Sequence, residues 1–271
     1  MANLKIKFTD QDERYIKENY LDKTYKEIAN ILGYTESQIK TKAISLNLRK
    51  KRQINKDYFE SIDSSEKAYY LGLIYADGWI QYNLEKHNYE FGIQLQLKDR
   101  YIIDNLNTIL GGNNYMKVLE SHISIINNKQ YKTGEMCYLR VYSKKIVSDL
   151  QMHGIAENKT QKDVFPIIDD YLFFDFLRGY IDGDGCFYIN KNHVYMHITS
   201  ASIVALKYLQ SRLNYFGINT KVYTEKERKH RLMCVNTAEM IKLINLLYKN
   251  EDCICLKRKY DIVKDLIGLA A

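Results

Sequence analysis

Two apolar runs with the same internal spacing constrain this chain more than any other feature. They are Tyr70-Leu71-Gly72-Leu73-Ile74-Tyr75-Ala76-Asp77-Gly78 and Leu177-Arg178-Gly179-Tyr180-Ile181-Asp182-Gly183-Asp184-Gly185. Gly72 and Ala76 lie one helical turn apart, as do Gly179 and Gly183, and residues i and i+4 of a helix share a face. Faces this bare let two helices approach closely, the logic of small-xxx-small pairs in membranes. Packed together, the helices would bring Asp77 and Asp184 side by side at their C-terminal ends. A helix C-terminus is already partly negative, so two carboxylates there need a cation. The pattern predicts a metal site on a pseudo-twofold axis.

The second run resembles the LAGLIDADG signature of homing endonucleases closely, and the first resembles it well. Two copies about a hundred residues apart resemble the single-chain, two-motif subclass, over roughly residues 60–270.

The 271 residues suffice for one large core and a small accessory domain. Net charge is +7, unevenly spread. Residues 1–56 hold 13 Lys/Arg against 7 Asp/Glu, and the remainder 27 against 26. Most of the excess therefore sits in the N-terminal segment, as in a nucleic-acid-binding module. Cys137, Cys186, Cys234, Cys253 and Cys255 are odd in number and form no C-x-x-C pair. They favour neither zinc nor a disulfide framework and read as small core residues in a reducing, cytoplasmic setting. No apolar run is long enough for a membrane helix, and the start lacks a signal-peptide core.

Residues 8–48 read as three helices. The stretch from Tyr25 to Leu48 resembles a helix-turn-helix, with Gly33 in the turn. On its last helix Ser37, Gln38, Lys40, Thr41 and Lys42 would reach a major groove, and Arg49-Lys50-Lys51-Arg52 would follow phosphates. The expected division is 1–52 for this domain, 53–63 for a linker, and 64–163 and 164–271 for two halves. Each half reads helix–strand–strand–helix–strand–strand–helix. From Asp77 to Gly112 is 35 residues and from Asp184 to Gly217 is 33, the mark of an internal repeat. The fold class is therefore α+β: two pseudo-symmetric αββαββα halves with antiparallel sheets, plus a small all-α N-terminal domain.

Alternation in the strands sends Ile93, Leu95, Leu139 and Val141 inward, and Gln94, Gln96, Tyr138, Arg140 and Tyr142 outward. Two such sheets about a twofold would form one long saddle. Gln94, Gln96, Arg140, Tyr188 and Lys221 are candidate contacts to base edges and phosphates. Mg²⁺, with Mn²⁺ as a substitute, suits an oxygen-rich site for metal-assisted phosphodiester hydrolysis.

The resemblance implies more. The saddle would lie in the major groove of double-stranded DNA over a long, imperfectly palindromic target, bound by a monomer. Asp77 and Asp184 would be metal ligands and catalytic, helped by the main-chain oxygens of Ala76 and Gly183. Gly72, Ala76, Gly179 and Gly183 would form the helix interface. Basic catalytic partners would be Lys159, in a segment similar to the family's stretch before the second motif, and Lys257 or Lys259 near the end. Tyr70, Tyr75 and Arg178 depart from the signature, and Tyr75 opposite Asp182 makes the halves asymmetric. A non-cleaving DNA- or RNA-binding protein on the same scaffold, an intron maturase or a transcription regulator, is the alternative.

Overall fold

The computed structural model describes residues 8–48, 54–85, 87–121, 123–126, 129–157, 165–190, 193–227, 229–250 and 252–268. The chain divides into two compact units, residues 1–53 and 54–271.

The first unit holds α1 (Asp10–Asn19), α2 (Tyr25–Leu32) and α3 (Glu36–Ser45). All three helices start with the same device. Thr9, Thr24 and Thr35 cap them, and Asp12, Glu27 and Gln38 return the bond in capping boxes. A good N-cap contributes about 1 kcal/mol, which matters for helices this short. Ile16, Ile28, Ala29, Ile39 and Ala43 form the core. Gly33 ends α2 in the left-handed region, at φ 75°.

The second unit is organised around α4 (Ser65–Asp77) and α7 (Phe173–Asp184), which pack against each other within one continuous core. The first half continues with β1 (Gly78–Asn83), β2 (Asn88–Gln96), α5 (Arg100–Ile109), β3 (Tyr115–Leu119), β4 (Ile123–Ile126), β5 (Lys129–Lys132), β6 (Met136–Tyr142) and α6 (Lys144–Met152). The second continues with β7 (Gly185–Asn190), β8 (His193–Ser200), α8 (Ile203–Tyr215), β9 (Thr220–Lys226), β10 (Lys229–Cys234), α9 (Thr237–Leu247) and α10 (Lys257–Val263). The sheets are antiparallel with matching orders, β1-β2-β6-β3 and β7-β8-β10-β9. On the inner faces Phe91, Ile93, Leu139 and Val141 are buried in one half, and Met196, Ile198 and Leu232 in the other. Ile102, Ile103 and Leu106 of α5 and Leu206, Leu209 and Leu213 of α8 complete the same core.

Four details differ from the sequence expectation. Two strands were expected around Asn127-Asn128, but four segments are present, because β4 and β5 pair only with each other and form an extra hairpin between β3 and β6. Residues 54–63, read as linker, join the body: Tyr58 and Phe59 are buried in its core and the Asn55 N–H donates to Leu110 O. Asn236 rather than Thr237 caps α9. Cys186 is exposed rather than a core residue, and the cysteines are free thiols.

Candidate active site

The contact between α4 and α7 is made by main chain. A Cβ on Gly72 would collide with the Phe176 carbonyl oxygen, and one on Gly179 with the Tyr69 carbonyl oxygen. One on Gly183 would strike the Ala76 methyl group and lie 3.0 Å from Asp77 Oδ2. The carboxylate of the first acid therefore rests against the residue next to the second. Each helix passes straight into a strand, with Gly78 and Gly185 as the joints. Asp77 is half-buried and Asp184 exposed.

Among the described residues one cation meets this junction. Lys259, on α10, is buried, and its Nζ donates to the main-chain oxygens of Ile181 at 2.7 Å, Asp182 at 2.6 Å and Gly185 at 2.6 Å. The last carbonyls of a helix have no intrahelical partner, and a positive charge there meets the negative end of the helix dipole. Burial lowers the Lys259 pKa, while Asp182 and Asp77 oppose that shift. Lys257 lies elsewhere: it is exposed, with Nζ 5.5 Å from the centre of the Tyr101 ring. Two residues apart on one helix, the two lysines point in different directions, so Lys259 replaces Lys257 as the basic group at the junction. Lys159 lies outside the described residues.

Arg178, which departs from the signature, and Asp182, which keeps it, together deliver Lys259. Arg178, fully inside, donates from Nη1 to Leu247 O at 2.6 Å, from Nε to Ile254 O at 2.9 Å and from Nη2 to Asp175 at 2.9 Å. Asp182 Oδ2 accepts from the Tyr69 hydroxyl at 2.9 Å and the Leu256 N–H at 2.7 Å. Burial pushes the Asp182 carboxyl up to about 6, against the pull of the Leu256 N–H and Lys259. These bonds dock Leu247, Ile254 and Leu256 onto α7 and set the start of α10. At the matched place in α4, Tyr75 instead packs among Phe165, Phe176 and Tyr180. Tyr70 is buried and its hydroxyl donates to Ile102 O at 3.3 Å.

The donor set fits a hard divalent cation such as Mg²⁺. It offers the Asp77 carboxylate against Gly183, with Asp184 the next residue. Among the described residues no three His, Cys, Asp or Glu cluster. A protein that supplies one or two carboxylates and leaves other positions to water and substrate phosphate is the usual Mg²⁺ arrangement.

The outward faces of the sheets carry Gln94 and Arg140, half-buried, and Gln96, exposed, in the first half. Tyr188, stacked on Tyr195 with ring centres 5.3 Å apart, and exposed Lys221 sit on the second. Tyr138, expected to face outward, is buried beneath the Arg140 guanidinium. Sequence reading missed Trp79 and Glu90, which share this face: Trp79 Nε1 donates to Glu90 Oε1 at 3.3 Å. The available signal was Gly92, since a glycine inside a strand marks a close approach. A Cβ there would collide with the Trp79 indole.

In the N-terminal unit Ser37, Lys40 and Thr41 are exposed on one side of α3. Gln38 and Lys42 are occupied within the unit, by the Thr35 cap and by Glu13 respectively. Short polar side chains near a helix start serve caps first. Arg49, Lys50, Lys51 and Arg52 lie outside the described residues.

Residues 174–247 match the LAGLIDADG-like domain model. No curated protein matches the chain. Among solved structures, the homing endonuclease I-WcaI bound to its DNA recognition sequence is 13% identical, with 78% of this chain and 87% of that one covered and a TM-score of 0.50. I-SmaMI bound to an uncleaved DNA target in the presence of calcium ions gives 14%, 73%, 90% and 0.46. The N-terminal LAGLIDADG domain of WhiA gives 18%, 73%, 91% and 0.42. Residues 174–247 thus match a LAGLIDADG-like domain, and the half before them repeats the same order of helices and strands, in a fold shared with I-WcaI.

Proposed function

We propose that this protein is a site-specific endonuclease that hydrolyses one phosphodiester bond on each strand of double-stranded DNA with a divalent metal, Mg²⁺ or Mn²⁺. The observation that carries this is the meeting of Asp77 and the Gly183-Asp184 turn at the foot of two glycine-packed helices. Asp77 and Asp184, with the oxygens of Ala76 and Gly183, would hold the metal. When bound, it lowers the pKa of water and offsets charge on the attacking and leaving oxygens. The chain's own groups do the rest. The two outward sheet faces bind and orient the duplex, and the helix pair brings one acid to each half of it. Lys259 donates to the last carbonyls of α7, where phosphate charge would gather. The exposed side of α3, with Ser37, Lys40 and Thr41, adds a second DNA contact from the N-terminal unit.

The test is cleavage of a randomised plasmid library in Mg²⁺, followed by Asp77→Asn and Asp184→Asn. Each substitution should abolish cutting and leave affinity for the selected target within a few-fold. A wild-type protein that binds a specific DNA in Mg²⁺ and never cuts it would instead be a non-cleaving binder on this scaffold.

A further inference from the structure

The outward face of the first sheet holds a built cluster around a buried glutamate. Glu90, on β2, is 8% exposed, although the exposed surface is where a glutamate costs least. It is covered by Trp79, which fits because Gly92 has no side chain. Two groups face its carboxylate: Trp79 Nε1 at 3.3 Å, and Arg140 Nε, also at 3.3 Å. Arg140 stands on β6 directly opposite Gly92 in the register. Its guanidinium lies 4.9 Å from the centre of the Tyr138 ring. The side chain is still 38% exposed.

We propose that Arg140 reads a guanine in one half of the target and that Glu90 is the positioning residue that aims it. This rests on the sheets binding DNA as described above. Arginine has five donors in a fixed fork. Glu90 faces the Nε edge, whose nitrogen is buried, so the side chain's exposure falls on its other atoms, the terminal Nη pair among them. A terminal fork matches the O6 and N7 acceptors of guanine in the major groove. A phosphate would also accept it, but β6 is an inner strand of the sheet, flanked by β2 and β3. A side chain at the middle of the face is better placed for base edges than for the flanking backbones.

The repeat supplies an internal comparison. Cys186 pairs with His197, and His197 with Met233, as Trp79 pairs with Gly92, and Gly92 with Arg140. The second half thus places Met233, without charge, where the first has Arg140. The guanine requirement belongs to one half-site, with no counterpart at the mirrored position.

Selection of bound DNA from a randomised target library tests this, using wild type, Arg140→Ala, Arg140→Lys and Glu90→Gln. Wild type should demand guanine at one position of one half-site, by roughly 5- to 150-fold, the range of one good bidentate pair. Arg140→Ala and Arg140→Lys should level the preference there and leave other positions unchanged, since lysine keeps the charge and loses the fork. Glu90→Gln should weaken the same preference with Arg140 in place, an effect confined to one base pair that general loosening would not give. Equal weakening across all sequences, or an intact guanine preference in Arg140→Lys, would overturn the assignment while leaving DNA cleavage standing. A wild type that selects no DNA would sink both.

Discussion

Lys259 Nζ donates to the main-chain oxygen of Asp182 at 2.6 Å, although the two residues are 77 apart in sequence. That bond fastens a C-terminal helix beneath the end of the second motif helix. Lys259→Met should leave three carbonyls without their buried donor, lower stability by about 2–3 kcal/mol and reduce cleavage on the order of 100-fold. Chemical unfolding and a nicking assay on the bound target would check both, and unchanged cleavage would place the positive charge outside the chemistry.

The glycine contacts make a sharp contrast in packing. Gly179→Ala drives a methyl group into the Tyr69 carbonyl and should cost at least about 1–3 kcal/mol, the usual penalty of overpacking. Gly134→Ala, with open space around it, should stay within about 0.5 kcal/mol of wild type. Urea midpoints of the two variants would show whether the helices can separate without harm.

His197 gives stability a pH dependence of known sign. Burial lowers its pKa, Arg231 and Lys229 add to that, and Glu225 opposes it. The unfolded chain therefore takes up the proton more readily than the native one. Its contribution is fully present above the ordinary histidine pKa near 6.5 and is lost as pH falls below it. The stability of wild type relative to His197→Gln should fall as pH drops from about 6.5 to 5, and a constant difference would assign the effect elsewhere.

The N-terminal unit has its own core of Ile16, Ile28, Ala29, Ile39 and Ala43. Removing residues 1–53 should leave a folded body that cuts at the same bond. Affinity should fall and its dependence on salt should become shallower, because fewer phosphates are neutralised. Binding titrations at several salt concentrations measure this directly, and a shifted cut would mean that the unit sets register.

How far the sequence could be read depended on the range of the forces involved. The motif helices and the alternation of β2 follow from neighbours within a few residues, and both were legible. The choice between Lys257 and Lys259 was not, because both lie on α10 and the end of α7, far away in the chain, selects one. The β4–β5 hairpin showed its turn but not its independence, since Ile123–Ile126 alternates no differently from a sheet strand. Glu90 gave no warning either. Its burial is a property of Trp79 lying over Gly92, three residue types that look ordinary until the register joins them.

The meeting of α4 and α7 through Gly72 and Gly179 is a contact between peptide groups, and peptide groups are the same in every protein. Such a joint does not record which side chains surround it. A half that presents the two small residues at the right spacing can dock on any other half that does the same. Recombination could therefore exchange whole halves, with their separate sheet faces, without re-evolving the seam, and each exchange would join two half-site preferences into a new composite target.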